Sequence, residues 1–270
     1  MPNWCQNNIK VEGKGNVVKH FILENFRTNS YNDGLVKVYE LDFEKYDPTP
    51  IDDDGEIIKD WYTWRLEHWG CKWSPTGQDQ YVDLEIEKED GVEVIDLHVA
   101  NENGKYFDEE TVMNLDENSI MRLTLQIGCD TPWGPPIAIF EQWYKQYKGT
   151  DLSVEMKFYE PGCEILGEVS FDISSEGGYY EKWIENQYDK EGIMYKMEVG
   201  WEGRDWYIEE CGDMIREMQP VEVADKLVPE VEKMLAKCTT EEAATLIADI
   251  YIKYFEWLQG DDTKSEPSKE

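Results

Sequence analysis

The stretch Thr131–Gly162, TPWGPPIAIFEQWYKQYKGTDLSVEMKFYEPG, decides the architecture. Its prolines sit where a helix can begin, because the missing N–H of proline has no intrahelical partner there. From Ile137 to Lys148 the side chains of Ile137, Phe140, Trp143 or Tyr144, and Tyr147 fall on one stripe, which predicts an amphipathic helix. Gly149 ends it. Leu152–Tyr159 then alternates, reads as a strand, and stops at Pro161-Gly162. Upstream, Ser119–Gly128 (SIMRLTLQIG) alternates in the same way, so the segment is strand, helix, strand.

The N-terminal part repeats that order. Asn7–Gly13 reads as a strand, and Asn16 stands as an N-cap before a helix expected from Val17 to Asn29. Asp33-Gly34 breaks the chain, and Leu35–Phe43 reads as a strand. Two helices on one face of a small antiparallel sheet make an α+β fold of the split βαβ, ferredoxin-like kind. The sequence places it in residues 1–170, with a large insertion at about 44–118.

Within the insertion, Tyr46–Gly55 is a loop by its prolines and acidic run. Asp52, Asp53 and Asp54 invite a calcium reading, but Pro50 and Ile51 stand where ligands are needed, so a solvated turn is expected. Tyr81–Glu87 and Val92–Val99 read as paired strands around Glu89-Asp90-Gly91, and Asp108 as the cap of a short helix to Leu115.

Residues 171–260 read as a smaller β/α region. Strands are expected at Glu164–Ile173, Met194–Val199 and Asp205–Glu209, and a helix at Tyr179–Tyr188. A helical pair ends the region: Val221–Val228, with Pro229 kinking it or starting another helix, then a long helix after a Thr239/Glu242 capping box, closed by Gly260. Residues 261–270 are expected to be a disordered tail.

Charge and composition limit the function. The chain carries 59 acidic and 26 basic residues, a net charge of −33. Nucleic-acid binding requires Lys and Arg to neutralise phosphates, so direct binding is disfavoured and basic surfaces are the natural partners. Eleven Trp, 16 Tyr and 8 Phe give a core to bury, which argues against a disordered acidic chain. No apolar run reaches the roughly 20 residues that span a bilayer, and MPNWCQNNIK lacks the features of a signal peptide. A cytoplasmic location is expected, with no membrane partner. Cys5, Cys71, Cys129, Cys163, Cys211 and Cys238 are scattered and read as free thiols. His20, His68 and His98 are isolated, so no metal or cofactor motif is found.

Four blocks carry a family likeness: PNWCQN (Pro2–Asn7), WRLEHWGCKW (Trp64–Trp73), TPWGPP (Thr131–Pro136) and FYEPG (Phe158–Gly162). In order and spacing over residues 1–170 they resemble the signature of the YubB-like ferredoxin-fold family of phages, plasmids and bacterial genomes carrying such elements. That pattern runs PNWCxN, a WGTKW-like block, TxWxPP, and a YxExG-like turn. Cys71 replaces the usual Thr, Gly134 stands where Ser is frequent, and the C-terminal part has no counterpart. The resemblance implies a fold and a mobile-element origin rather than a reaction.

The candidate interaction residues are Trp4, Asn7, Arg65, Trp69, Lys72, Trp73, Trp133 and Glu160. Trp69, Trp73 and Trp133, with Arg65 and Lys72 as cations, could stack on bases. The plainer reading makes the tryptophans core, with Arg65 and Lys72 lying over them. Asn7 could contact a ligand or satisfy strand backbone, and Glu160 could serve a site or bond its own turn. A catalytic cysteine would need a neighbouring cation or helix N-terminus, and no triad pattern is found. The leading expectation is therefore a non-enzymatic, acidic interaction protein of a phage or similar element, whose charge reads first as a solubilising coat and second as a mimic of nucleic-acid charge that engages a basic host protein. The alternatives are a nucleic-acid-binding accessory protein using the Trp-rich segment, and an enzyme with an unrecognised pocket.

Overall fold

The structure, a computed structural model, describes residues 3–31, 36–75, 80–89, 91–96, 109–115, 120–172, 178–199 and 203–262. It is α+β. The chain divides into two compact units, Met1–Trp183 and Ile184–Glu270.

The first unit contains β1 (Trp4–Gly13), α1 (Gly15–Asn25), β2 (Phe26–Tyr31), β3 (Val36–Leu41), α2 (Phe43–Tyr46) and α3 (Trp61–His68). β4 (Tyr81–Lys88), β5 (Gly91–Asp96), α4 (Glu109–Met113), β6 (Arg122–Pro132) and α5 (Ile137–Tyr147) follow, then β7 (Leu152–Glu160), β8 (Ile165–Phe171) and β9 (Tyr179–Trp183). Among the described residues, seven strands form one antiparallel sheet in the order β5-β4-β6-β1-β7-β8-β9. β2 and β3 pair only with each other, so the strand expected within Leu35–Phe43 does not join the main sheet beside β1; it ends at Leu41, and Phe43 begins α2.

Alternation decides the layers. Ile9 and Val11 of β1, Leu125 and Ile127 of β6, and Val154, Met156 and Phe158 of β7 are buried. They share one core with Val18, Phe21 and Ile22 of α1 and Ile139, Phe140 and Trp143 of α5. Phe21 meets Trp143 edge-on, with ring centroids 5.0 Å apart, so both helices cover the same face. Gly149, at φ +89°, lets the chain turn after α5 at a position where a side chain would be strained. At the far edge, β5 exposes Val92 and Val94.

Several expected elements differ. α1 begins at Gly15 behind Lys14, which makes no side-chain cap, so Asn16 is not the N-cap. It ends at Asn25 rather than Asn29, and Phe26–Tyr31 is a strand. A tertiary bond fixes that end: buried Asn25 donates to the Phe21 carbonyl and accepts from the Trp143 indole N–H at 2.8 Å. Tyr179–Trp183, expected as part of a helix, pairs with β8, where its three aromatic residues suit a pleated surface. The Asp52–Gly55 run is a turn: the Asp52 carboxylate accepts from the Asp54 and Glu56 N–H groups. Leu35, Asp33-Gly34, residues 97–99, and Asp108 as a cap lie outside the described residues.

The second unit contains α6 (Lys190–Val199), α7 (Arg204–Met218), α8 (Val221–Leu235) and α9 (Thr240–Asp262). Met194–Val199 and Asp205–Glu209, expected as strands, are helical. Asp189 opens α6 by accepting from the Gly192 N–H, and the buried residues Tyr207, Cys211, Met214 and Ile215 follow helical spacing. α8 runs on through Pro229 as one helix. The Thr239/Glu242 capping box forms in both directions, at 2.8 and 3.3 Å. Gly260 does not close α9, which continues to Asp262; residues 263–270 lie outside the described residues. Among the described residues no helix is long and apolar enough to cross a membrane.

Candidate functional site

The sheet positions two surfaces in the first unit: one end, where the sequence blocks converge, and the face that α1 and α5 leave open.

At the end, Trp4 pairs with Pro132 and Asn7 with Cys129. Asn7 is buried and spends its amide N–H groups on the Cys5 carbonyl at 2.9 Å, the Cys129 carbonyl at 3.2 Å and the Thr131 hydroxyl at 2.9 Å. Thr131 in turn donates to the Gly134 carbonyl at 2.7 Å. The Trp133 N–H bonds the Asn3 carbonyl at 2.9 Å. Glu160 is fully buried and accepts from the Gly162 N–H at 2.9 Å and the Cys163 N–H at 2.5 Å. Asn7 and Glu160 therefore fix backbone and do not face solvent.

That network holds Trp133 at φ +74°. A left-handed backbone at a residue with a Cβ costs on the order of 1–3 kcal/mol and persists where its surroundings enforce it. Trp133 is 48% exposed and Trp4 46% exposed, so the turn displays aromatic surface.

α3 supplies the remaining candidates. Trp69 is fully buried, with its indole N–H on the Asp47 carbonyl at 3.0 Å. The Arg65 guanidinium lies 4.9 Å from the Trp61 ring and 4.7 Å from the Trp69 ring. It pairs with Glu44 at 2.5 Å and donates to the Thr49 hydroxyl at 2.9 Å. Its charge is thus spent inside the unit. Lys72 sits 4.3 Å over Trp73, which is 39% exposed. Gly70, at φ +84°, brings this loop against the helix start: a Cβ there would meet the Ile137 nitrogen at 2.9 Å. The structure thus places the α3 loop on the turn that carries Trp133, and with Gln6 and Asn7 paired to Tyr159 and Phe158 all four sequence blocks meet at this end.

Thiolate chemistry is suppressed at three buried cysteines, Cys5, Cys71 and Cys129. Burial, reinforced by the Glu160 charge, pushes the Cys5 thiol up. Burial raises Cys71 against the opposing pull of Arg65, and raises Cys129 with help from Asp130. All three stay protonated at neutral pH and lack thiolate reactivity. Among the described residues no group of three or more His, Cys, Asp or Glu side chains could hold a metal ion.

The open face was missed by the sequence reading. Its side chains alternate with the core residues and are partly exposed: Glu12, Asp83, Glu85, Glu87, Asp130, Glu155 and Glu168, against Lys10, Arg122, Lys157 and Lys182. Lys10 pairs with Glu12 at 2.8 Å, Arg122 with Glu12 at 2.5 Å, and Lys157 with Glu155 at 3.6 Å. The Lys10 ammonium, followed by the Arg122 guanidinium, holds Glu12 below the usual carboxylate range. These pairs draw cations onto acids of the same face, and the surplus is carboxylate. Alternation within each strand was the available signal, but only the register brings the acids together.

No family model, no curated protein and no solved structure matches the chain.

Proposed function

We propose that the chain is a non-enzymatic, acidic interaction protein of a phage or similar mobile element, which engages a basic partner protein by offering carboxylates where that partner ordinarily meets phosphate. The observation that carries this reading is the open sheet face, where acids exceed cations and Lys10, Arg122 and Lys157 are drawn into pairs. A face whose carboxylates outnumber its cations steers oppositely charged surfaces and sets their register. The net charge of −33 acts in the same direction at longer range.

The scaffold under this proposal is a ferredoxin-like core of the YubB-like kind, in which β4, from within the segment expected as an insertion, and not β3 completes the first strand-helix-strand half. It is supported by the order β4-β6-β1-β7, with α1 following β1, α5 following β6, and both helices on one face. A second reading, nucleic-acid binding through the Trp-rich segment, draws on the exposed Trp4, Trp73 and Trp133 with Lys72. The pairing of Arg65 with Glu44 weighs against it by removing one of the two cations it needs.

The full chain, immobilised and exposed to bacterial lysate, is expected to retain a reproducible protein of basic surface. Moderate salt releases that protein, because screening shortens the reach of surface charge to about 8 Å at 0.15 M. Duplex DNA displaces it, and the pair of substitutions Glu85→Lys and Glu87→Lys weakens retention by about ten-fold or more. Failure to recover a reproducible partner, or tight binding of oligonucleotides by the chain itself, ends the proposal.

A further inference from the structure

The helical unit holds a groove that its own elements leave open. α8 and α9 both pack on α7. Ile215 and Met218 of α7 lie at its floor, Leu227 and Val231 of α8 on one side, and Leu246 and Trp257 of α9 on the other. Toward the α8–α9 turn it continues between Met234 and Leu246 as a cavity of about 690 Å³. The α9 wall from Glu242 to Trp257 is roughly 22 Å long at the helical rise, the length of about four turns.

α8 shows why the groove stays open. It carries two neighbouring apolar stripes. Ala224, Val228 and Leu235 are buried, whereas Val223, Leu227 and Met234 remain exposed. A helix with one packed stripe needs one neighbour; the second stripe is surface for another.

The rim has its own charge. Lys233 near the end of α8 and Lys237 just beyond it line the groove, Lys253 lines it on the α9 side, and Lys226 stands two turns before Lys233 on α8, with Glu222 and Glu230 at i±4 from it. Among the described residues none of the four has an ion-pair partner, in a chain where acids outnumber bases by more than two to one. Two acids line the groove, Glu242 and Asp249, and Glu242 is engaged with the Thr239 N–H.

We infer that this groove docks an amphipathic helix of a partner protein, apolar along one stripe and acidic on the flank that meets Lys233 and Lys237. Such helix-in-groove recognition uses anchors at i, i+3, i+4 and i+7, the spacing that the exposed walls present. The chain's own residues 263–270, TKSEPSKE, offer no aliphatic or aromatic anchor. Two copies at −33 each repel at long range, whereas an acidic flank on a small helix feels mainly the lysines within a Debye length. The inference is independent of the open sheet face.

The full chain is panned against a display library of helical peptides of about 18 residues, with a fixed Leu/Ile stripe and flanks varied among Glu, Gln and Lys. Glu-flanked sequences are expected to dominate. Leu227→Glu or Met234→Glu, both at exposed positions, lowers their binding by about ten-fold or more with the circular dichroism unchanged. Reversing Lys233 and Lys237 to Glu shifts selection toward Lys flanks. The inference is overturned if nothing is enriched above the Leu227→Glu background, or if Lys flanks win against the native chain. Sedimentation velocity showing self-association that Leu227→Glu abolishes would assign the groove to a second copy and also overturn it.

Discussion

Raising the pH from 8 to 11 is expected to unfold the sheet unit. Cys5, Cys71 and Cys129 are buried in one core, and burial is the first cause of each raised pKa. A thiol that stays protonated in the fold but ionises in the unfolded chain contributes stability that is fully present below its unfolded value, near pH 9. That contribution is lost as pH rises toward the folded value. For each such thiol the loss is about 1.4 kcal/mol per pH unit over that window. Domains of this size are stable by about 5–15 kcal/mol. Tyr147 and Tyr46 act in the same direction: burial raises both, and the Glu24 charge adds to each. The helical unit holds one comparable thiol, Cys211, pushed up to about 12 mainly by burial, and should outlast the sheet unit. Circular dichroism and tryptophan fluorescence followed against pH give the test. A triple Cys→Ala variant that unfolds at the same alkaline midpoint as the native chain would refute the linkage, as would a sheet unit intact at pH 11.

Trp143→Ala should destabilise the sheet unit by about 3–5 kcal/mol, the range for removing a fully buried large aromatic side chain. Trp143 is buried, with Phe21 of α1, Phe43 and Tyr46 of α2 and Phe140 of α5 around its ring at 5.0 to 6.4 Å. The substitution also removes the donor to Asn25, leaving a buried carbonyl oxygen unsatisfied at the point where α1 gives way to β2. Trp143→Phe should cost less, because it keeps most of the volume and loses chiefly the hydrogen bond. Urea unfolding of the two variants separates the contributions. Equal losses would mean that the indole N–H, and not the packing, dominates.

The sequence was informative where a single element carries its own signal. The Ile137–Lys148 stripe, the alternation of Leu152–Tyr159 and the Thr239/Glu242 box are local patterns, and the corresponding elements stand where those patterns put them. It was silent where a distant partner decides. α1 stops at Asn25 because Trp143, far along the chain, holds that side chain. Tyr179–Trp183 is a strand because β8 offers an edge, and a run that short has too few residues to establish a period. The site divides in the same way. The aromatic density of the Trp-rich segment was evident, whereas the capture of Arg65 by Glu44 and Thr49 depends on the fold of the intervening loop. The acidic face required the register of β4, β6, β1 and β7, and the open groove required knowing which helices share α7.

β5 leaves one consequence for handling the protein. Among the described residues it is the last strand on its side of the sheet, with Val92 and Val94 exposed, and an edge strand offers backbone groups to another strand. At neutral pH mutual repulsion between molecules opposes such pairing. Near the sequence isoelectric point of about 4.3 the repulsion vanishes, so acetate buffers invite edge-to-edge stacking and precipitation that neutral storage avoids.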